Sequence, residues 1–288
     1  MKRRTNPFRQ FVSEYAQLFQ CGKKLPPGCP RKFSLQHKAP DHAPKVLIFS
    51  PHPDDECIVG GLALRLLREA KWNVINVAVT MGGKKDRRAA RLRESKNACA
   101  FLGYALVSAS LDNVNPAARR KNRAHWKRAV KTIAAILDAH QPRVIFVPHE
   151  NDLHPTHIGT HLLVLDALKT LPAGFKCHVV ETEFWGQMTD PNLLVESSVK
   201  DAGDLVAALS CHVGEVRRNP YHARLPAWML DNVRRGSELL GGQGGVAPDF
   251  TFATIYRLRK WSHGRLTNVL KRGKFLSCSK NPASLFKV

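Results

Sequence analysis

Residues 45–61, KVLIFSPHPDDECIVGG, constrain the fold more than any other stretch of the sequence. The apolar run from Val46 to Phe49 is short and partly β-branched, which predicts a buried strand. Pro53 and the acidic residues after it favour a turn that leads into a helix. In open α/β sheets, ligand sites lie at the carboxyl ends of the strands. The sequence therefore places a histidine and three carboxylates at a position where such proteins bind ligands.

Apolar runs and helix-like patterns alternate through the middle of the chain. We expect strands near 45–50, 73–79, 105–109, 143–147 and 177–182, and helices near 57–70, 87–102, 123–139 and 157–170. The segment 111–122 indicates a polar loop, and the chain after residue 225 is less regular. This alternation predicts an α/β fold, a Rossmann-like three-layer sandwich with a mostly parallel sheet and helices on both faces. The first strand is not followed by G-x-G-x-x-G, which argues against a dinucleotide site.

The length of 288 residues allows one large domain or two small ones. We expect residues 1–44 to form a basic N-terminal extension and linker, and residues 45–288 to form a single domain with a basic C-terminal tail. Helical spacing within the extension predicts a short amphipathic helix, carried by Phe8, Phe11, Val12, Tyr15, Leu18 and Phe19. This helix would pack on the domain or lie on a membrane surface. No apolar run approaches the roughly 18 residues that are needed to span a membrane.

A second apolar run, from Val144 to Val147, ends in the same way as the first. It leads into a proline and a histidine-rich loop, which contains His149, His154, His157 and His161. A loop of this kind can simply be solvated, just as the acidic residues of the first stretch can simply cap a helix. Two strand ends with complementary ligand types favour the alternative, which is a shared metal site.

The residue types in the two stretches suit a divalent metal ion. Imidazole nitrogens and carboxylate oxygens are good ligands for zinc, and catalytic zinc sites usually keep three protein ligands and an open position. His52, Asp55 and His157 supply that number of ligands. His52 and Asp55 are three residues apart at a strand-to-helix corner, a spacing that lets both side chains turn toward one point. Asp54 would then remain free to act as a base.

The motifs resemble those of the PIG-L/LmbE-like family of zinc-dependent N-acetylglucosaminyl deacetylases. The resemblance rests on H-P-D-D-E at 52–56 with Gly60-Gly61, on H-P-T-H at 154–157, on Thr80-Met81-Gly82 and on Arg91-x-x-Glu94, with a weaker match at 208–212. It extends over roughly residues 45–215. The resemblance implies an enzyme that removes an N-acetyl group from an N-acetylglucosamine-type sugar or conjugate.

The resemblance also implies roles for individual residues. It implies one zinc ion bound by His52, Asp55 and His157. It further implies that Asp54 is the general base and that His154 assists the tetrahedral transition state. Two other classes of function remain open: a zinc amidohydrolase that acts on a non-sugar amide, and a non-catalytic basic binding protein.

Two further residues are candidates for contact with the substrate. The resemblance singles out Arg91 as a contact to a sugar hydroxyl. Asp152, in the histidine-rich loop, is a candidate for the substrate site, and it could instead orient a histidine from behind. Amide hydrolysis needs an activated water and a stabilised oxyanion, and zinc can contribute to both.

The charge of the chain is strongly basic, with 45 Lys and Arg against 23 Asp and Glu, a net charge of +22. The excess is concentrated at 119–131 and at 250–288, two segments without acidic residues. This balance favours an anionic or carrier-linked amino-sugar substrate, or else a solvated surface. The basic clusters show little aromatic interleaving, so we expect no nucleic-acid partner. The seven scattered cysteines form no C-x-x-C pair, which predicts reduced thiols and a cytoplasmic protein.

Overall fold

The computed structural model describes residues 6–28, residue 30 and residues 40–287. The strands in these residues are β1 (Lys45–Ser50), β2 (Asn73–Ala78), β3 (Ala105–Ser108), β4 (Val144–Pro148), β5 (Cys177–Thr182), β6 (Leu193–Ser197), β7 (Phe252–Ser262), β8 (Arg265–Asn268) and β9 (Lys274–Leu276). The α-helices are α1 (Pro7–Lys24), α2 (Asp55–Ile58), α3 (Gly61–Arg68), α4 (Arg88–Leu102), α5 (Pro116–Lys121), α6 (Arg123–His140), α7 (Pro155–Leu168), α8 (Val199–Ser210), α9 (Val213–Arg218) and α10 (Tyr221–Gly241).

The described strands form one mixed sheet in the order β3-β2-β1-β4-β5-β7-β6-β9, with β8 paired to β7. The five strands from β3 to β5 run parallel to one another. Strand β7 is antiparallel to both of its neighbours, β5 and β6. The prediction of an α/β fold with a mostly parallel sheet and helices on both faces is therefore confirmed.

The side chains of β1 divide between two apolar cores, one on each face of the sheet. Val46 and Ile48 join the core that α3, α4, α8 and α10 cover. Leu47 and Phe49 join the core that α6 and α7 cover. Successive side chains of a strand point to opposite faces, so a central parallel strand with a core on each face is mostly apolar along its whole length. This explains why the run in β1 is continuous and does not alternate with polar residues.

The two sequence motifs meet because β1 and β4 are neighbours in the sheet. Val46 pairs with Val144 and Ile48 with Phe146. The connection from β1 leads to β2 on one side, whereas β4 lies on the other side, so the strand order reverses between β1 and β4. A crevice opens at such a switch point, outside the carboxyl ends of the strands. The H-P-D-D-E turn follows β1 into α2, and the H-P-T-H turn follows β4 into α7.

Two local predictions of secondary structure are wrong. The helix expected near 57–70 is broken into α2 and α3 at Gly60, which has a φ of +87°. A Cβ atom at this glycine would lie 2.3 Å from the Thr254 Oγ1 atom, so the break also serves close packing against β7. The expected polar loop at 111–122 contains α5. The Asn115 side chain caps this helix by accepting a hydrogen bond from the backbone N–H of Ala118.

The chain after residue 225 is more regular than the sequence predicts. Helix α10 contains Pro226, a residue that usually ends a helix. Strand β7 contains Arg257, which is buried opposite Glu181 of β5. The Arg257 Nε atom donates a hydrogen bond of 2.5 Å to the Glu181 carboxylate. An ion pair of this kind depends on a partner about 76 residues away in the sequence, so an apolar pattern cannot reveal the strand.

The predicted amphipathic helix of the extension is present as α1, which begins with Pro7 after an Asn6 cap. Much of the predicted linker lies outside the described residues. Among the described helices, none has the length and apolarity that a membrane span requires. The prediction of reduced thiols is wrong at Cys211, which is disulfide-bonded, because sequence spacing does not reveal which sulfur atoms meet.

Candidate metal and active site

The turn after β1 is held by its own carboxylates. The Asp55 Oδ2 atom accepts a hydrogen bond of 2.8 Å from the His52 N–H, and the Glu56 Oε2 atom accepts one of 2.9 Å from the Asp54 N–H. Asp54 has a φ of +116°, a region that residues with a Cβ rarely adopt. Its side chain makes no capping hydrogen bond to α2. Helix capping therefore does not account for this carboxylate.

Three potential ligand atoms lie close together above the ends of β1 and β4. The His52 Nδ1 atom is 3.2 Å from the His157 Nε2 atom. Each of these nitrogens is 3.5 Å from the Asp55 Oδ2 atom. Zinc–ligand bonds of about 2.0–2.1 Å in tetrahedral geometry place two ligands about 3.3–3.4 Å apart. The three atoms therefore have the spacing of a single divalent metal site.

The charges around these atoms support the same interpretation. Burial opposes ionisation of Asp55, but the facing His157 and His52 outweigh it, and the pKa of Asp55 is lowered. Burial also acts against protonation of His157, but Asp55 and Asp152 outweigh it, and the pKa of His157 is raised. Two ring nitrogens at hydrogen-bond distance cannot both act as acceptors toward each other. Either one ring donates a hydrogen bond to the other, or a positive charge lies between the two nitrogens.

Asp152 lies behind His157, on the side away from the other ligand atoms. Its Oδ1 atom is 3.6 Å from the His157 Nδ1 atom and accepts a hydrogen bond of 2.8 Å from the His154 N–H. Its Oδ2 atom accepts a hydrogen bond of 3.1 Å from the Trp185 N–H. Asp152 is buried and is absent from the cavity lining. Carboxylates in this position orient metal-binding histidines, so the geometry favours the orienting alternative over a contact with the substrate.

His154 is held as the N-cap of α7. Its Nδ1 atom accepts a hydrogen bond of 3.2 Å from the Thr156 N–H, so a neutral ring carries its proton on Nε2. Burial, and then the neighbouring His52 and His157, lower the pKa of His154. A neutral His154 can therefore still donate a hydrogen bond from Nε2.

An alternative ligand set uses His154 in place of Asp55. The ring nitrogens of His52, His154 and His157 offer three ligand atoms within 4.8 Å of one another. Asp55 is the better third ligand because its oxygen is only 3.5 Å from both of the other nitrogens. Since one nitrogen of His154 is already engaged by Thr156, we assign His154 to the wall of the site.

The other histidines of the loop support the backbone. The ring of His149 pairs with the Gly186 carbonyl at 2.9 Å, and the ring of His161 pairs with the Pro148 carbonyl at 2.9 Å. Both rings are buried, and neither lines the cavity. Of these four histidines, only His154 and His157 lie at the start of α7, close to the end of β1. Their position explains why they face the site and why His149 and His161 do not.

Glu56 has a supporting role that the sequence interpretation missed. Its carboxylate is fully buried. Besides the Asp54 N–H, it pairs with the Ser95 hydroxyl at 3.0 Å and the His212 Nε2 atom at 3.1 Å. Glu56 thereby connects the strained turn to α4 and to the start of α9. The signal was present in the weak match at 208–212, whose histidine is the residue that pairs with Glu56.

A cavity of about 540 Å³ opens in front of the ligand atoms. Its floor includes His52, Asp54 and Asp55. Burial, and then the neighbouring Asp55, raise the pKa of Asp54, although Arg91 acts in the opposite direction. The cavity wall carries aromatic and basic side chains that sequence interpretation did not identify, namely Phe184, Trp185, Arg218, Tyr221, Arg224 and Trp228. Four of them lie on α9 and α10.

Arg91 lines the same cavity from α4. Its guanidinium donates a hydrogen bond of 3.3 Å to the Pro53 carbonyl and lies 3.5 Å from the Glu215 carboxylate. Gly82, with a φ of +78°, makes room for it, because a Cβ atom there would lie 2.0 Å from the Arg91 Nη1 atom. The Thr80-Met81-Gly82 segment therefore serves to position Arg91 beside Asp54.

Comparisons with known proteins agree with this geometry. Residues 47–168 match the sequence model of the family described as "PIG-L: GlcNAc-PI de-N-acetylase". No curated protein sequence matches the chain significantly. The matched segment includes both H-P motifs and Arg91, but it ends before the wall that α9 and α10 contribute.

Several solved structures are similar to the chain. One is the N,N'-diacetylchitobiose deacetylase from Pyrococcus horikoshii, with 18% identity, a TM-score of 0.55, and coverage of 86% of this chain and 92% of that chain. A second is the zinc-inhibited form of teicoplanin deacetylase, with 16% identity, a TM-score of 0.53, and coverage of 74% and 97%. A third is 4-carboxy-2-hydroxymuconate hydratase from Pseudomonas putida, with 17% identity, a TM-score of 0.56, and coverage of 75% and 95%. At these identities the likeness shows a shared fold.

Proposed function

Because residues 47–168 match the sequence model of the PIG-L family, we propose that the protein is a metal-dependent hydrolase that removes an N-acetyl group from an N-acetylglucosamine-type sugar or conjugate. One observation carries the proposal. Three ligand atoms separated by 3.2–3.5 Å lie beside a free carboxylate, that of Asp54, at the floor of a cavity. This combination supplies both parts that amide hydrolysis needs, a metal site and a base.

The metal in this proposal is one zinc ion held by His52, Asp55 and His157. Bound there, the ion would supply Lewis acidity and lower the pKa of water toward ~7. Asp152 would hold the His157 ring with Nδ1 toward its carboxylate, so that the Nε2 lone pair faces the metal position. The hydrogen bond from the His52 N–H would fix the Asp55 carboxylate in the same way.

Asp54 would act as the general base. Its carboxylate would accept the proton of the attacking water and later deliver a proton to the amine that leaves. Burial and the neighbouring Asp55 raise the pKa of Asp54, and a base whose pKa lies closer to neutrality is better matched to both transfers. The strained backbone holds the carboxylate at the cavity floor, free of a capping role.

His154 would stabilise the oxyanion that develops on the acetyl carbonyl. The Thr156 N–H occupies Nδ1, which leaves Nε2–H as a fixed donor toward the cavity. A preorganised donor of this kind needs no reorientation during the reaction. Arg91 would contact a sugar hydroxyl, and the exposed ring of Trp185 would offer an aromatic surface to the rest of the substrate.

The fold alone does not select this reaction, since one of the similar structures is a hydratase. The test is acetate release from a panel that contains free N-acetylglucosamine, its phosphorylated and lipid-linked conjugates, and N-acetylated amino acids. We expect release from at least one sugar and none from the Asp54→Asn variant. Release from the amino acids alone would favour a non-sugar amidohydrolase. Metal binding without release from any acetamide would contradict the proposed function.

A further inference from the structure

Helix α1 presents an apolar stripe to solvent. Phe8 is 73% exposed, Phe11 65% and Leu18 71%. Val12 and Tyr15 are also exposed. At about 100° per residue, these five side chains fall within an arc of about 120° on one side of the helix. Exposed apolar residues that are clustered in this way mark an interaction surface, whereas scattered ones do not.

Within the part of the chain that the structure describes, no other element covers the stripe. No residue of α1 is buried, and only Phe19 and Gly22 are partly covered. The last turn rests on α10, where Gly22 faces Ala223. The turns before it leave their large apolar side chains in solvent. Intramolecular packing, one of the two alternatives for this helix, therefore accounts only for its C-terminal end.

A second copy of the chain is a poor partner for this stripe. A helix of 18 residues is about 27 Å long and about 10 Å wide, so one face of it covers on the order of 300 Å². Stable protein interfaces bury about 800 Å² on each partner. Two copies that each carry a net charge of +22 would also repel each other. A lipid surface avoids both problems. It binds a single helix face without a complementary protein surface, and its negative charge attracts a basic chain.

The polar side of α1 carries the charge that an anionic lipid surface requires. Arg9 lies in its first turns, and Lys23 and Lys24 lie in its last turn. Arg217, an exposed residue of α9, lines the same surface groove as Lys23. Lysine and arginine residues beside an apolar helix face add roughly 1 kcal/mol each to binding at an anionic membrane.

We propose that α1 binds the surface of an anionic membrane, with its apolar stripe in the boundary between headgroups and acyl chains and its basic residues at the headgroups. This is the behaviour of interfacial amphipathic helices, which combine a large apolar face with Lys and Arg on the polar face. The inference is independent of the proposed function, since it rests only on α1 and its neighbours.

The test is flotation of the full chain with vesicles of phosphatidylcholine alone or with roughly 30% phosphatidylserine. We expect binding to the anionic vesicles, weakened by salt. The variant with Phe11→Ser and Leu18→Ser should bind at least ~10-fold less, because burial of two large apolar side chains is lost. The matched control carries Gln10→Ser and Gln17→Ser on the opposite side of the same helix and should bind like the wild type.

Equal vesicle binding by the apolar-face variant and the wild type would overturn the proposal. An equal loss in both variants would also overturn it, because the stripe would then not be the contact. Sedimentation velocity completes the test. The wild type could form a dimer while the variant with Phe11→Ser and Leu18→Ser stays monomeric. If, in addition, neither protein binds vesicles, the stripe is a contact between copies of the chain and the proposal is wrong.

Discussion

At the scale of single residues, Asp54 and Gly82 show how the backbone prepares the site. Both have positive φ values, +116° and +78°. Glycine adopts this region without strain, whereas an aspartate needs surrounding contacts that hold it there. At Asp54 these contacts are supplied by Glu56. At Gly82 the missing side chain is itself the useful feature, because it leaves space for the Arg91 guanidinium.

We expect the Asp54→Asn variant to keep its metal and to lose acetate release by ~10²–10⁴-fold, the usual contribution of a general base. Asn has nearly the same shape but cannot accept the proton. The matched control is Asp86→Asn, which changes an exposed carboxylate in a neighbouring loop and should leave turnover unchanged. An Asp54→Asn enzyme with wild-type turnover would remove this residue from the mechanism.

Gly82→Ala and Gly83→Ala form a second matched pair. A Cβ atom at Gly82 would lie 2.0 Å from the Arg91 Nη1 atom, whereas a Cβ atom at Gly83 would meet nothing within 4 Å. We expect Gly82→Ala to raise KM severalfold with an unchanged metal content, because Arg91 is displaced, and Gly83→Ala to behave like the wild type. Steady-state kinetics on the best sugar substrate would check this. Identical KM values for the two variants would contradict the role of Arg91.

At the scale of secondary-structure elements, the H-P-D-D-E turn depends on elements that are distant in the sequence. Glu56 pairs with Ser95 of α4 and with His212 at the start of α9. The Glu56 carboxylate and the side chains of Ser95 and His212 are all buried. Removing one of these hydrogen bonds leaves a buried polar group without a partner, which lowers the free energy of unfolding by about 1–3 kcal/mol. The turn is therefore a junction of three elements as well as the end of β1.

We expect Glu56→Gln to lower the free energy of unfolding by about 1–3 kcal/mol and to reduce turnover. The amide of Gln replaces one acceptor oxygen with a donor NH₂, so at least one hydrogen bond that the carboxylate now accepts is lost. Glu238→Gln, an exposed change of the same chemistry, should do neither. Denaturant titration and acetate release measure the two effects. Unchanged stability and turnover in Glu56→Gln would show that the turn does not need this carboxylate.

How much of the site can be predicted from the sequence also depends on the element. Strands β1 and β4 contain continuous apolar runs at 46–49 and 144–147, so their ends, and with them the candidate ligands His52 and His157, could be located from local pattern. The walls from α9 and α10 could not. Pro226 interrupts the helical pattern, and Arg257 interrupts the apolar pattern of β7, while the contacts that compensate for them are distant in the sequence. The contacts of Glu56 were missed for the same reason.

At the scale of the whole molecule, the chain carries a net charge of +22, and the cavity wall includes Arg91, Arg218 and Arg224 beside the carboxylates of Asp54, Asp55 and Glu215. Arg218 already pairs with Glu215, whereas Arg224 is exposed at the wall. Such a field raises the local concentration of an anionic substrate, and salt screens it over a Debye length of ~8 Å at physiological ionic strength. The aromatic residues of the same wall suit the apolar faces of a sugar or its carrier.

We therefore expect kcat/KM for a phosphorylated or lipid-phosphate-linked amino sugar to fall as salt rises. The value for the matched neutral sugar should stay nearly constant, because steering acts only on charge. An Arg224→Gln variant should show a weaker salt dependence with the anionic substrate. If the anionic and neutral substrates respond identically to salt, the basic surface has no part in substrate capture.

The metal content of the purified protein tests the central claim most directly. Elemental analysis should find about one zinc ion per chain in the wild type, as expected for a single site with three protein ligands. The His157→Ala variant should lose it, whereas His161→Ala, which removes another buried histidine from the same helix, should keep it. Equal zinc in the wild type and in His157→Ala would contradict a metal site built from His52, Asp55 and His157.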